Sequence, residues 1–195
     1  MARLGLAERD DLIQWASSQG APADLPDLVR QLILETTPGV VSLGFPVGVG
    51  VYGSSWDGTA KATEPGLNVP DGLSLWESST RADVNAKADD DYAKRTDTPD
   101  GTPTTEATYI AVSTRTWRDR TSWVNGKRGE GRWRDVQALG VDDLDTWLRH
   151  APVTHAWLSE KLGLQPHGVM TTQAWWERFA HATDPALPYG GRPPR

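Results

Sequence analysis

LSLWESSTRADVNAKADDDYAK, residues 73–94, predicts a β-strand followed directly by an α-helix. Successive side chains of a β-strand point to opposite faces, so in a strand at residues 73–79 Leu73, Leu75 and Glu77 share one face. Residues 83–94 carry alanines and other apolar side chains at helical spacing. The segment therefore predicts a strand-to-helix unit of an α/β sheet, with a carboxylate at the end of an otherwise apolar strand face.

Upstream of this unit, turn residues separate two predicted helices from two predicted strands. The helices cover residues 7–17 and 26–36, and the strands cover residues 39–45 and 56–63. Residues 48–53 match the spacing GxGxxG, but the residues after them do not resemble the helix start that a dinucleotide-binding loop requires. We therefore predict a hairpin-like loop there, and no nucleotide cofactor.

Downstream, strands alternate with helices before the chain becomes entirely helical. The predicted elements are strand 108–113, helix 118–125, strand 133–139 and helices 143–150, 152–162 and 173–181. This order predicts an α/β fold with a mixed central sheet flanked by helices and a C-terminal helical appendage. We expect an accessory helix in residues 1–24, a core in 25–163, a C-terminal helix in 164–185 and a linker-like tail in 186–195.

The composition limits the classes of protein to consider. The 195 residues are enough to form one hydrophobic core. The absence of cysteine excludes disulfides, thiolate metal sites and a cysteine nucleophile. No apolar run is long enough to span a bilayer, so we expect a cytoplasmic protein. Most of the 10 tryptophans are expected to fill the core. The net charge of -6 argues against a wholly basic surface, but a local basic strip remains compatible with it.

Two acidic residues are candidates for a divalent metal site. Asp57 begins one predicted strand and Glu77 ends the next, so neighbouring strands could bring both carboxylates to one edge of the sheet. Mg²⁺ or Mn²⁺ prefers such oxygen ligands, and it can polarise a phosphate and lower the pKa of a bound water. The alternative is a structural role, with Asp57 in a turn and Glu77 paired to an arginine.

The predicted order of helix, three strands, helix and strand, with acids on the second and third strands, resembles the PD-(D/E)XK nuclease superfamily. The resemblance covers about residues 26–139. In that superfamily the third strand ends in (D/E)xK, whereas this chain has Glu77-Ser78-Ser79. Some members carry the lysine on the next helix, where Lys87 stands, and many carry a further acid on the preceding helix, where Glu35 stands. The resemblance implies a restriction-endonuclease-like core with Asp57, Glu77, Lys87 and Glu35 at the catalytic site. The alternatives are that Lys87 is a solvated lysine and that Glu35 is an ordinary glutamate on a helix surface.

Short motifs along most of the chain carry a narrower resemblance. They are Trp56-Asp57-Gly58, Trp76-Glu77, Lys87-Ala88, Asp91-Tyr92, Lys94-Arg95-Thr96, Trp133-Arg134-Asp135-Val136, Asp142-Asp143-Leu144, Trp147-Leu148, Trp175-Trp176 and Thr183-Asp184-Pro185. These motifs are similar to those of nuclease-like domains at the N-terminus of bacterial defence and signalling proteins that continue into NTPase or other modules. The resemblance implies further domains or a partner protein, and the chain could also form a homo-oligomer.

A group of basic residues between tryptophans is a candidate for binding nucleic acid. Its members are Arg115, Arg118, Arg120, Lys127, Arg128, Arg132 and Arg134. Such a strip could hold backbone phosphates, and the alternative is a solvated surface of salt bridges. Together with the basic strip and the two acids, the resemblance implies a Mg²⁺-dependent endonuclease that acts on DNA in preference to RNA. The alternative function is a catalytically inactive nuclease-like module that binds nucleic acid or protein.

Overall fold

The computed structural model describes residues 5–46, 56–164 and 172–183. The strands are β1 (Val40–Gly44), β2 (Gly58–Ala62), β3 (Gly72–Ser79), β4 (Ala107–Ser113) and β5 (Asp135–Leu139). The helices are α1 (Arg9–Trp15), α2 (Ala21–Thr36), α3 (Val84–Asp97), α4 (Arg120–Gly129), α5 (Val141–Arg149), α6 (Pro152–Lys161) and α7 (Thr172–Ala182). Every strand and helix predicted above is present, with its bounds shifted by a few residues. The predicted loop at 48–53 and the tail at 186–195 lie outside the described residues.

The strands form one sheet in the order β1-β2-β3-β4-β5. β1, β2 and β3 pair in antiparallel fashion, whereas β3, β4 and β5 pair in parallel. Parallel neighbours need a crossover connection, which α3 and α4 supply. The predicted α/β class, with a mixed sheet flanked by helices, is confirmed.

The start of α2 differs from the prediction. The helix begins at Ala21 and not at Pro26, because Pro22 lies in the first turn, where a missing backbone N–H costs no hydrogen bond. Pro26 is then accommodated inside the helix. The buried apolar face of α2, which includes Leu25 and Leu32, packs this segment against the sheet and outweighs the loss of one helical hydrogen bond.

Aromatic side chains cover both faces of the sheet. On one face, Tyr109 of β4 contacts Tyr92 of α3, with ring centroids 5.3 Å apart, and Trp133 at the same distance. On the opposite face, Trp76 of β3 stacks on Trp147 of α5 at 6.2 Å. Six tryptophans are buried, namely Trp15, Trp56, Trp76, Trp117, Trp133 and Trp147, so the expectation that most of them fill the core is confirmed.

The chain divides into two units, Glu8–Thr154 and the combination of Met1–Ala7 with His155–Arg195. The larger unit contains the whole sheet and α1 to α5, and the division between the two units falls within α6. In the smaller unit, Ala7 donates its N–H to Ser159 (2.8 Å) and its carbonyl oxygen contacts Nε2 of His155 (2.7 Å). Within the described residues, no helix is both long and apolar enough to cross a bilayer.

Candidate functional site

The register between β2 and β3 brings the two predicted metal ligands together. Gly58 pairs with Trp76 in the antiparallel ladder. Asp57 precedes Gly58 and Glu77 follows Trp76, so the two acids lie opposite each other one step beyond that pair. The Oδ2 atom of Asp57 accepts hydrogen bonds from the backbone N–H (2.8 Å) and the hydroxyl (2.9 Å) of Ser78. These bonds tie Asp57 to the end of β3.

Glu77 forms a buried ion pair with Arg95 of α3. The Arg95 Nε–H donates to Oε1 of Glu77, and the two side chains are only 9% and 7% exposed. The guanidinium also lies 4.7 Å from the centroid of the Trp56 ring. Glu77 therefore has the arginine partner that a structural role predicts. In this state the positive charge next to its carboxylate is the guanidinium of Arg95.

The pKa of Glu77 is raised in spite of the ion pair with Arg95. Burial raises its pKa, and the neighbouring carboxylate of Asp57 raises it further, while Arg95 lowers it. The net result is a pKa of about 8, compared with 4.5 for an ordinary glutamate. Burial penalises the charged form, and a like charge nearby adds to that penalty. The site thus holds two acids that repel each other when both are ionised.

The helix α3 adds a lysine and a third carboxylate to this region. Lys87 forms an ion pair with Asp91 one turn later, and the Asp91 side chain is 13% exposed. Asp91 also raises the pKa of Glu77, which places its charge close to that carboxylate. Glu77, Ser79 and Asp91 line a cavity of about 10 Å³, about the room that one water molecule needs. We call Asp57, Glu77 and Asp91 the carboxylate cluster.

Sequence reasoning missed Arg95 as a member of this site, although α3 contains a signal for it. Lys87, Asp91 and Arg95 recur at intervals of four residues, which places them on one face of a helix. The buried residues Ala88 and Tyr92 follow Lys87 and Asp91 directly and fix this face against the sheet. A charged stripe beside a buried stripe predicts side chains at the margin of a core.

Asp57 and Glu77 are the two members of the carboxylate cluster that could hold a hard divalent cation. Mg²⁺ binds through one or two carboxylates and keeps several waters, which Asp57 and Glu77 on neighbouring strands could accommodate. A divalent cation would also relieve the repulsion that raises the pKa of Glu77. Within residues 5–46, 56–164 and 172–183, however, there is no group of three or more acidic or histidine side chains that could together bind a metal ion. The ligands would therefore be Asp57 and Glu77, with water in the remaining positions.

Glu35 has a different partner from the one that the resemblance implies. Its Oε1 and Oε2 atoms accept hydrogen bonds from the backbone N–H groups of Val153 (2.9 Å) and Thr154 (2.8 Å). These groups belong to the first turn of α6, where N–H groups have no partner within the helix. Both carboxylate oxygens thus cap α6, and the structure does not bring Glu35 together with Asp57 and Glu77.

We predict that Glu35→Ala lowers the free energy of unfolding by about 1 kcal/mol, because it removes the cap of α6. Chemical denaturation monitored by circular dichroism would measure the change. Affinity for Mn²⁺ should be unchanged. A variant that keeps full stability but loses Mn²⁺ binding would instead return Glu35 to the metal site.

The predicted basic strip is mostly engaged in contacts within the protein. Arg115 donates to the carbonyl oxygens of Thr80 (2.8 Å) and Ile13 (3.3 Å). Ion pairs join Arg120 to Asp143, Lys127 to Asp89 and Glu130, Arg128 to Asp135, Arg132 to Asp97, and Arg134 to Asp71. Arg118 is exposed and makes no ion pair or hydrogen bond with any described residue. The alternative of a salt-bridged surface therefore describes five of the seven side chains, and Arg115 is held by hydrogen bonds to neutral groups.

In comparisons with known proteins, no family model, no curated protein and no solved structure matches this chain.

Proposed function

We propose that this chain is a metal-dependent nuclease domain that hydrolyses phosphodiester bonds, with DNA preferred over RNA, and that it serves as the effector of a bacterial defence system. One observation carries the proposal: the β2–β3 register sets Asp57 opposite Glu77, beside a helix whose Asp91 lies near Glu77 and pairs with Lys87. The order of helix, three strands, helix and strand also agrees with the resemblance to PD-(D/E)XK nucleases.

Each residue of the site has a distinct proposed role. Asp57 and Glu77 would hold Mg²⁺ or Mn²⁺, and such an ion polarises a phosphate and lowers the pKa of a bound water. Lys87 would break its ion pair with Asp91 and bind the substrate instead. Its ammonium is a mobile point charge that can hold a phosphate oxygen or orient a water. Arg95 would keep the carboxylate of Glu77 in place beside α3 in the metal-free state.

A second candidate function is a catalytically inactive module that binds nucleic acid or a partner protein. The buried ion pair between Arg95 and Glu77 favours it, because the guanidinium already satisfies an acid that a nuclease would use for metal. Ser79 adds to this case, since it stands where the superfamily motif has lysine. This candidate predicts that binding survives the loss of both Asp57 and Glu77.

The test of the proposal is cleavage of plasmid DNA and of single-stranded RNA by the purified chain, with Mg²⁺, Mn²⁺ or EDTA. Cleavage that requires metal and stops with EDTA would support a nuclease and identify its substrate. Binding of either nucleic acid without cleavage under any condition would favour the inactive module. The proposed defence role further implies a cytoplasmic location, with additional domains, a partner protein or self-association to regulate the domain.

We predict that Arg118 is the member of the basic strip that contributes most directly to phosphate binding, because it has no ion pair with a described residue to give up. Arg118→Ala should reduce the slope of log K against log salt concentration by about 1. Fluorescence anisotropy of labelled DNA at several salt concentrations would measure it. The control is Lys61→Ala, which removes an exposed cation from β2. Equal slopes for both variants and the wild type would contradict a role for Arg118.

A further inference from the structure

The hydroxyl of Tyr109 is one of several buried polar groups of the larger unit that have no hydrogen-bond partner among the described residues, and charged side chains are close to it. Tyr109 of β4 is 0% exposed, and its hydroxyl makes no hydrogen bond with any residue that the structure describes. A buried hydroxyl without a partner destabilises a fold, and phenylalanine would fill the same space without that penalty. The hydroxyl therefore points to a partner in another state of the protein.

Tyr109 lies on the same face of the sheet as Glu77. The parallel register pairs Leu75 with Tyr109 and Glu77 with Ala111, so Tyr109 is the diagonal neighbour of Glu77. Ordinary strand spacings put their Cα atoms about 8 Å apart. A tyrosine side chain reaches most of that distance.

The surroundings of the Tyr109 ring lead to the same acid. The ring centroid of Tyr109 lies 6.4 Å from that of Trp56, and Arg95 covers the Trp56 ring while it donates to Glu77. The pKa of Tyr109 is well above its ordinary value, first because of burial and then because the charges of Glu77 and Asp91 are near. The strand register, the ring contacts and the neighbouring charges thus all put Tyr109 beside the carboxylate cluster.

We propose that Tyr109 is a positioning residue of the metal site, whose hydroxyl donates a hydrogen bond to the Glu77 carboxylate when that carboxylate binds a divalent cation. This inference rests on the proposed function. Carboxylates that bind metals are themselves held by hydrogen bonds from neighbouring groups. Arg95 fills that role in the described state, but its positive charge opposes a divalent cation at the same carboxylate. Tyr109 offers a neutral donor on the same face.

Titration of the full chain with Mn²⁺ alone, followed by calorimetry and by electron paramagnetic resonance, tests this role. The variant is Tyr109→Phe, which keeps the ring contacts and removes the hydroxyl. The matched control is Tyr92→Phe, since Tyr92 is also buried but its hydroxyl contacts the carbonyl oxygen of Lys127. Tyr109→Phe should raise the dissociation constant for Mn²⁺ by about 10- to 100-fold. Its unfolding midpoint without metal should be unchanged or higher, and Tyr92→Phe should bind Mn²⁺ like the wild type.

Three results would overturn the inference, and they can be told apart. Equal affinity of Tyr109→Phe and the wild type for Mn²⁺ would remove Tyr109 from the site while leaving the site itself in place. An equal loss in Tyr92→Phe would show that loss of any buried hydroxyl weakens binding. No Mn²⁺ binding by the wild type, even above the pKa of Glu77, would overturn the metal site together with this inference.

Discussion

Asp57→Asn and Glu77→Gln should each lower metal-dependent cleavage by about 1,000-fold or more, because each removes one of the two negative ligands proposed for the metal. Both substitutions keep the size of the side chain. The amide oxygen introduced by Asp57→Asn can still accept the hydrogen bonds of Ser78, and the one introduced by Glu77→Gln can still accept a hydrogen bond from Arg95, so the fold should survive. The measurement is the initial rate of plasmid cleavage with saturating Mn²⁺, with folding checked by circular dichroism.

The matched control for this experiment is Glu64→Gln. Glu64 is an exposed acid just after β2, so its loss changes the net charge equally without touching the carboxylate cluster. It should cleave at the wild-type rate. If Asp57→Asn and Glu77→Gln also cleave at that rate, the assignment of the metal ligands is wrong.

The second large effect concerns the stability of the metal-free protein against pH. Glu77 has a pKa of about 8 in the folded protein and an ordinary value of 4.5. Between these values the folded state binds more protons than the unfolded state, so the contribution of Glu77 to stability is full below pH 4.5 and falls as the pH rises. At about 1.4 kcal/mol for each pH unit, the whole interval amounts to about 5 kcal/mol.

Glu77→Gln isolates this effect, because glutamine resembles the protonated acid at every pH. The variant should match the wild type below about pH 4, become progressively more stable than the wild type between pH 4.5 and 8, and keep the full difference above about pH 8. Urea unfolding at a series of pH values, with EDTA present, measures the difference between the two curves. Glu64→Gln should follow the wild type throughout. Parallel curves for Glu77→Gln and the wild type would mean that Arg95 keeps Glu77 ionised and that its pKa is not raised.

The sheet was predictable because each strand carries its own signal in the sequence. The run at 73–79 alternates between two faces, and the run at 109–112 is continuously apolar. The start of α2 was not predictable from local rules. Proline at position 26 ordinarily marks a helix start, but burial of the apolar face of α2 carries the helix back to Ala21.

The candidate site was predictable only in part. The acids at the ends of neighbouring strands indicate Asp57 and Glu77, because antiparallel neighbours connected in sequence bring such ends together. The partners of charged side chains depend on distances through space, which spacing along the chain does not contain. The Arg95 partner of Glu77 therefore emerged only from the packing of α3 on the sheet, and the role of Glu35 only from its hydrogen bonds to residues 153 and 154.

The sheet also implies an order of assembly. The antiparallel part of the sheet connects β1, β2 and β3 in sequence, whereas the pairing of β3 with β4 must wait for the longer crossover through α3. Closing a longer loop costs more entropy, and non-local parallel pairings form slowly. During refolding, the antiparallel strands β1, β2 and β3 would therefore bring Asp57 and Glu77 side by side before α3 packs with Arg95 and Lys87. At that stage the two acids face each other without a protein cation, so refolding should proceed faster when divalent ions are in the buffer.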